Sequence, residues 1–202
     1  MMPEAVIFDY GAGNLLSLKV ALETIGLNAK IGSTAQALKK ANAIALPGVG
    51  NFSAAAEKLD PVRQVILDAI TNGVPVLGIC LGLQLFFPRS EEGGGNGLGL
   101  YEGKTVWLPN SVKVPHMGWN TLRIVKQNEL LEGVDDESYV YFVHSLYPVP
   151  VDKELVCTET DYGTKFASAV ASKNVYGTQF HPEKSGDVGL KILKNFARIV
   201  KK

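Results

Sequence analysis

Val74–Phe87 reads VPVLGICLGLQLFF. The run through Ile79 is apolar and contains Val and Ile, the composition of a strand buried on both faces. Cys80 follows at once, with Gly78 two residues before it and Gly82 two residues after, ahead of a helix. A strand that turns sharply into a helix crowds its own backbone, so the positions flanking the apex tolerate little side chain. This is the cysteine form of the G-x-S-x-G nucleophile elbow. With 21 glycines in 202 residues, a given cysteine acquires both neighbours by accident about 1% of the time.

Upstream of the elbow, β-rich runs alternate with segments of helical period, the pattern of a parallel sheet covered by helices. EAVIFD, AKIGS and AIALP read as strands. Leu15, Leu18, Leu22 and Ile25 line one face of a helix that Gly26 closes, and TAQALKK supplies a crossover. Asp60-Pro61 reads as an N-cap followed by proline at the first helical position, opening a helix that Val62, Val65, Ile66, Ala69 and Ile70 continue to Gly73. Downstream, SEEGGGNGLGL is a glycine-rich connection, and TVWLP, NTLRIV, YVYFVH, ELVCTE, FASAVAS and VYGTQF alternate as strands. A closing helix from about Asp187 places Leu190, Leu193, Ala197 and Val200 at helical spacing against the sheet. The expected fold is α/β: a mostly parallel central sheet flanked by helices, with additional antiparallel strands in the second half, in one domain over residues 1–202.

Composition narrows the function classes. Twenty basic residues balance twenty acidic ones, whereas a nucleic-acid binder carries a basic surplus, so that class is set aside. The apolar stretch at the elbow is too short and too interrupted to span a bilayer. No basic region precedes the first apolar run, which therefore does not read as a signal peptide. Cys80 and Cys157 form no C-x-x-C pair, which argues for a reducing compartment, hence the cytoplasm, and against a zinc cluster. There is no P-loop, and GAGN (Gly11–Asn14) lacks the third glycine of the dinucleotide fingerprint, so neither cofactor nor metal is expected.

A cysteine nucleophile requires a proton carrier, and the chain has three histidines: His116, His144 and His181. His181 stands at the end of a strand in TQFHPEKS. Pro182 keeps it extended, and in an extended chain Glu183 projects to the same side, where a carboxylate orients the ring and supports its charge. Cys157, in ELVCTET, has no such context and reads as a small buried hydrophobe. For the developing oxyanion, one donor should be the amide of Leu81, and the other an amide of PGVG (Pro47–Gly50) after the strand AIAL. A thiol at the start of a helix also gains from the helix dipole, which favours thiolate. Met117 and Trp119 in VPHMGWN suit either the core or an interface, where tryptophan serves as an anchor. His116, on the same segment, reads as structural or interfacial.

ALPGVGNF, GICLGLQLF and QFHPEKS together resemble the class I, triad-type glutamine amidotransferases, whose nucleophile, histidine and glutamate match Cys80, His181 and Glu183. DYGAGNL, SEEGGGNGLGL, VPHMGWN and YFVHS are similar to one family within that class, the glutaminase subunits of imidazole glycerol phosphate synthase in histidine biosynthesis. The resemblance runs from end to end. It implies hydrolysis of L-glutamine to glutamate, with ammonia passed to a (β/α)8-barrel cyclase subunit in a heterodimer. It also implies substrate contacts from Gly48, Val49, Gly50 and Leu81, from Gln84, and from the backbone around Ser145 and Leu146, where relatives commonly carry an aromatic residue in place of the leucine. The Val49 amide is expected to reorient to complete the oxyanion hole. Met117, Trp119 and Lys184 are expected at the cyclase contact. Two other readings stand beside this one: the glutaminase partner of a pyridoxal phosphate synthase, and a catalytically silent regulatory module that kept the fold.

Overall fold

In the computed structural model, which describes residues 2–11 and 14–202, strand β1 (Glu4–Phe8) leads to helix α1 (Leu15–Thr24), which buries Leu18 and Leu22. Gly26 ends that helix at φ +83°, a conformation only glycine adopts without strain, and its amide donates to the Glu23 carbonyl oxygen. Strand β2 (Asn28–Gly32), helix α2 (Ala35–Lys39) and strand β3 (Ala43–Leu46) follow as expected. Of the GAGN segment, Ala12 and Gly13 lie outside the described residues.

Helix α3 (Phe52–Leu59) has no counterpart in the sequence reading. Asn51 caps it by accepting from the Ala54 amide at 3.0 Å. The chain then passes through a tight 3-10 turn at Asp60–Val62 into helix α4 (Arg63–Thr71). Asp60 is therefore not the N-cap that Asp-Pro suggested. It leaves α3 with helical dihedrals, φ −54° and ψ −44°, and its carboxylate accepts from Arg63 Nε at 3.1 Å.

Strand β4 (Val76–Ile79) and helix α5 (Leu81–Gln84) bracket the elbow. Next come β5 (Arg89–Ser90), β6 (Gly103–Trp107), β7 (His116–Ile124), β8 (Ser138–His144), β9 (Leu146–Pro150), β10 (Val156–Asp161), β11 (Lys165–Ser172), β12 (Val175–Thr178) and helix α6 (Gly186–Val200). Strand β9 is absent from the sequence reading because LYPVP carries two prolines, which remove ladder donors. It is tolerated as the edge of a small sheet ordered β5-β6-β9.

The large sheet is ordered β2-β1-β3-β4-β12-β11-β10-β7-β8. It is parallel from β2 through β12 and antiparallel from β12 to β8, so the expected parallel sheet occupies one half. Helices α1 and α6 contribute to the apolar cluster on one face, and α2, α3, α4 and α5 to that on the other. In α6 the buried face is Ile192, Leu193, Phe196 and Ala197, with Leu190 and Val200 at its margin. Fully buried Phe86, Phe142, Phe180 and Phe196 tie both clusters to the sheet, each such side chain contributing about 1.5–3 kcal/mol of transfer free energy.

Candidate active site

Strands β3, β4 and β12 are neighbours in the parallel half, and parallel strands end on the same edge of a sheet. PGVG leaves the end of β3, Cys80 the end of β4, and His181 follows shortly after β12. Register Ile79↔Thr178 sets the last two elements side by side, and the Cys80 amide donates to the Thr178 carbonyl oxygen at 2.7 Å. Crevices beyond the carboxyl ends of parallel strands are where α/β folds bind ligands.

Cys80 itself sits at φ +54° and ψ −106°, a strained conformation for a residue with a side chain. The close approach that imposes it is visible at the two glycines. A methyl group on Gly82 would lie 1.6 Å from the Leu46 carbonyl oxygen, and one on Gly78 would lie 2.6 Å from Phe86 Cζ. Helix α5 is only four residues long, too short to build the dipole expected to favour a thiolate.

His181 is extended, φ −99° and ψ 97°, and its Nδ1 is 2.8 Å from Glu183 Oε1, with both side chains buried. The other nitrogen, Nε2, is buried without a completed hydrogen bond. It lies near the sulfur of Cys80, whose S–H is turned to the Val143 carbonyl oxygen at 3.6 Å. Burial alone would discharge His181, but the Glu183 carboxylate on Nδ1 and the Cys80 sulfur beside Nε2 outweigh it and push the ring up to about 10. The ring is therefore an imidazolium at neutral pH, the partner that a thiolate requires.

The Leu81 amide donates to the Gly48 carbonyl oxygen at 3.4 Å. In a trans peptide the carbonyl and the following N–H point in opposite directions, so the Val49 N–H faces away from the expected hole while the Gly48 oxygen occupies it. Gly50, at φ +124°, supplies a left-handed position next to this peptide.

Val49, Gly50, Cys80, Leu81, Gln84, Ser145 and Leu146 line one cavity of about 290 Å³. Gly48 abuts it through Leu81. Gln84 Nε2 donates both to the Leu146 carbonyl oxygen (2.9 Å) and to Gln179 Oε1 (3.1 Å), which leaves its Oε1 as the group it can offer a ligand. The Ser145 and Leu146 carbonyls already accept, from the Leu108 amide and from Gln84, and the backbone amides of this segment are donors it can present to a ligand. Leu146 is buried, and its backbone lies at the start of strand β9. A larger open cleft of about 1130 Å³ at Met2, Glu4, Asn42 and Lys201 lies by the amino ends of the parallel strands, without a nucleophile.

Two polar residues of the site, Glu92 and Gln179, went unread in the sequence. Glu92, inside SEEGGG, lines the cavity and accepts from the Phe52 amide. Gln179, fully buried, donates through Nε2 to Cys80 Sγ at 3.4 Å. His144 also forms part of the wall, yet it is not a base: Nδ1–H donates to the Leu146 carbonyl and Nε2 accepts from His116 Nδ1–H at 3.0 Å, so both nitrogens are engaged. Burial pushes His144 down to about 3 and His116 down to about 4, so both rings are neutral. His116 stacks on Tyr162, with ring centroids 3.9 Å apart, in keeping with a structural part. Cys157 is buried, its thiol pushed up by desolvation.

Met117 and Trp119 are 62% and 55% exposed on β7, which settles their placement on the surface rather than in the core. Trp119 pairs across strands with Tyr141, whose carbonyl accepts from the His181 amide at 2.9 Å. Lys184 is exposed one short turn after His181. Among the described residues, no group of three potential metal ligands occurs, and no helix is long and apolar enough to cross a membrane.

The class I glutamine amidotransferase family matches residues 6–200. The imidazole glycerol phosphate synthase subunit HisH of Archaeoglobus fulgidus is 52% identical, over 97% of this chain and 98% of the relative. HisH of Methanothermobacter thermautotrophicus is 48% identical, over 96% and 98%, and that of Pyrococcus furiosus 47%, over 98% and 100%. Among solved structures, PurLQS from Thermotoga maritima superposes with a TM-score of 0.77 at 18% identity, covering 98% of this chain and 99% of the other. The glutaminase domain of Trypanosoma brucei CTPS, solved with bound acivicin, gives 0.71 at 15%, covering 100% and 95%. At those identities the superpositions speak for the fold alone.

Proposed function

Because this chain belongs to the class I glutamine amidotransferases and, within them, to the HisH family of imidazole glycerol phosphate synthase subunits, we propose that it hydrolyses L-glutamine at Cys80 and hands the ammonia to a cyclase subunit for histidine biosynthesis. The observation that carries the chemistry is the convergence of Cys80, His181 and Glu183 at adjacent parallel strand ends, with the ring held as an imidazolium.

The Cys80 thiolate attacks the carboxamide carbon, and the carbonyl π electrons move onto oxygen. His181 Nε2–H protonates the amide nitrogen as the C–N bond breaks, releasing ammonia and leaving a γ-glutamyl thioester. The same nitrogen then takes a proton from water, whose oxygen attacks the thioester, and the thiolate departs as glutamate forms. Glu183 holds Nδ1–H throughout and supports the ring's charge. For the substrate's α-amino acid end, Glu92 offers a carboxylate to the ammonium group, and the amides at Ser145 and Leu146 suit the carboxylate. The Leu81 amide provides one oxyanion donor, and the Val49 amide becomes the second once its peptide turns over.

The partner is a separate (β/α)8-barrel cyclase forming a heterodimer through Met117, Trp119 and Lys184. Free ammonia in neutral water is mostly protonated and loses its nucleophilic lone pair, which favours a sheltered transfer. Trp119 stands one strand from the residue whose carbonyl holds the His181 backbone, so the apolar patch is beside the point of release. The Cys80→Ala variant, paired with its cyclase, should lose glutamine-dependent synthesis and keep ammonium-dependent synthesis, because only the donor half is broken. Retained use of glutamine would refute the assignment.

A further inference from the structure

Behind the nucleophile lies a buried chain of polar side chains whose orientation rests on one atom. The Leu146 carbonyl oxygen can only accept, so the group of Gln84 that meets it is Nε2. The same nitrogen also meets Gln179 at 3.1 Å and must donate there too, which makes that atom of Gln179 its Oε1. The amide of Gln179 is thereby turned so that Nε2 faces Cys80 Sγ at 3.4 Å. The carbonyl also receives His144 Nδ1–H, which is backed in turn by His116, so the anchor is held from two sides.

We propose that Gln179 is a further catalytic residue of this chain, its side-chain amide donating to the sulfur of Cys80 and stabilising it as the attacking thiolate. This rests on the reading of Cys80 as the nucleophile and names a group that reading does not include. Helix α5 is too short for a useful dipole, and the S–H contact to Val143 disappears once the proton leaves the sulfur. The Gln179 N–H contact remains and strengthens, because a hydrogen bond to an ionised acceptor is roughly twice as strong as a neutral one. Gln179 is 0% exposed, so no solvent competes for the donor. Its Oε1 is spent on Gln84, which keeps the acceptor end away from the negative sulfur. Thiolate stabilisation and the alignment of a substrate-facing residue are thereby joined in one amide.

The test is the rate of iodoacetamide alkylation of Cys80 against pH in the full chain, with Cys157 counted separately by peptide mass spectrometry. The titratable groups around the sulfur are His181, with Glu183 behind it, and His144 and Glu92 in the cavity wall. Gln179→Met removes the donor at similar volume, and Gln179→Glu replaces it with a carboxylate. The pH of half-maximal alkylation should rise by about one to two units in Gln179→Met, and further in Gln179→Glu. In the complex with cyclase, kcat for glutamine hydrolysis at pH 7 should fall about tenfold or more, with a smaller change in KM. An unchanged alkylation profile in a folded Gln179→Met overturns the proposal. If neither variant folds, the side-chain amide protons of Gln179 in the unaltered protein decide by NMR: they should shift with pH together with the alkylation rate, and resonances that ignore it overturn the proposal. Hydrolysis surviving Cys80→Ala would instead remove the nucleophile assignment, a separate failure.

Discussion

The Leu81 amide donates to the Gly48 carbonyl oxygen across 3.4 Å, so the place where an oxyanion would form is filled by the chain's own backbone. Turning the Gly48–Val49 peptide would remove that oxygen and bring in the Val49 N–H. An oxyanion-hole donor is worth about 10²–10³ in kcat. The chain alone should therefore hydrolyse glutamine at least about 10²-fold more slowly than the chain bound to cyclase. Equal rates in the two states would show that the filled hole has no bearing on turnover.

His181 and Glu183 make stability depend on pH in a definite direction. The ring titrates near 6.5 when free and near 10 in the fold. A raised folded-state value means that the folded chain holds a proton the unfolded chain releases. Its contribution is complete below 6.5 and lost as pH rises through 10. Urea midpoints should accordingly fall between pH 7 and pH 10, and Glu183→Gln should flatten that fall by about 2 kcal/mol. The same slope in both proteins would deny the carboxylate its part in holding the proton.

Trp119 is more than half exposed, with its ring edge-on to Tyr141 at 6.0 Å. Trp119→Ala should change the stability of the chain by no more than about 1 kcal/mol. Association with the cyclase should weaken by about 2–4 kcal/mol, or roughly 30-fold or more in Kd. A binding titration with unaltered Kd would remove Trp119 from the interface.

Gly82→Ala tests the elbow as a packing requirement. The new methyl group would overlap the Leu46 carbonyl oxygen, which is fixed in β3 and cannot yield, so a loss above about 4 kcal/mol is expected in thermal unfolding. Gly93→Ala is the control. Its φ of +93° strains any side chain by about 1–2 kcal/mol, but the methyl group would meet nothing within 4 Å. Comparable losses would place the elbow's glycine requirement in backbone strain instead of close approach.

The candidate site was legible in proportion to how local its geometry is. His-Pro-Glu states its own contact, because an extended residue before proline shares a side with the residue two later, and the 2.8 Å contact follows. The elbow is equally local, since a strand-to-helix turn excludes side chains at fixed offsets. Helix α3 escaped notice because PGVG reads as a turn and Asp60-Pro61 reads as a beginning, when the chain was already helical on arrival. Strand β9 escaped because proline is penalised in a strand unless an edge is free, and an edge is a property of the assembled sheet.

From the order of its residues alone, this protein was committed to a parallel α/β half, a cysteine at a tight turn and an imidazole with its carboxylate, because each depends on backbone offsets of a few residues. Folding brought the histidine that the sequence singles out to the sulfur, since that follows from the alignment of Ile79 with Thr178 across about a hundred residues of chain. Folding also decided that Trp119 faces outward, that Gln179 turns its amide to Cys80, and that the Gly48 oxygen fills the hole. A peptide's direction and a side chain's burial are set by what packs beside them in space, and neighbours in space are not neighbours in sequence.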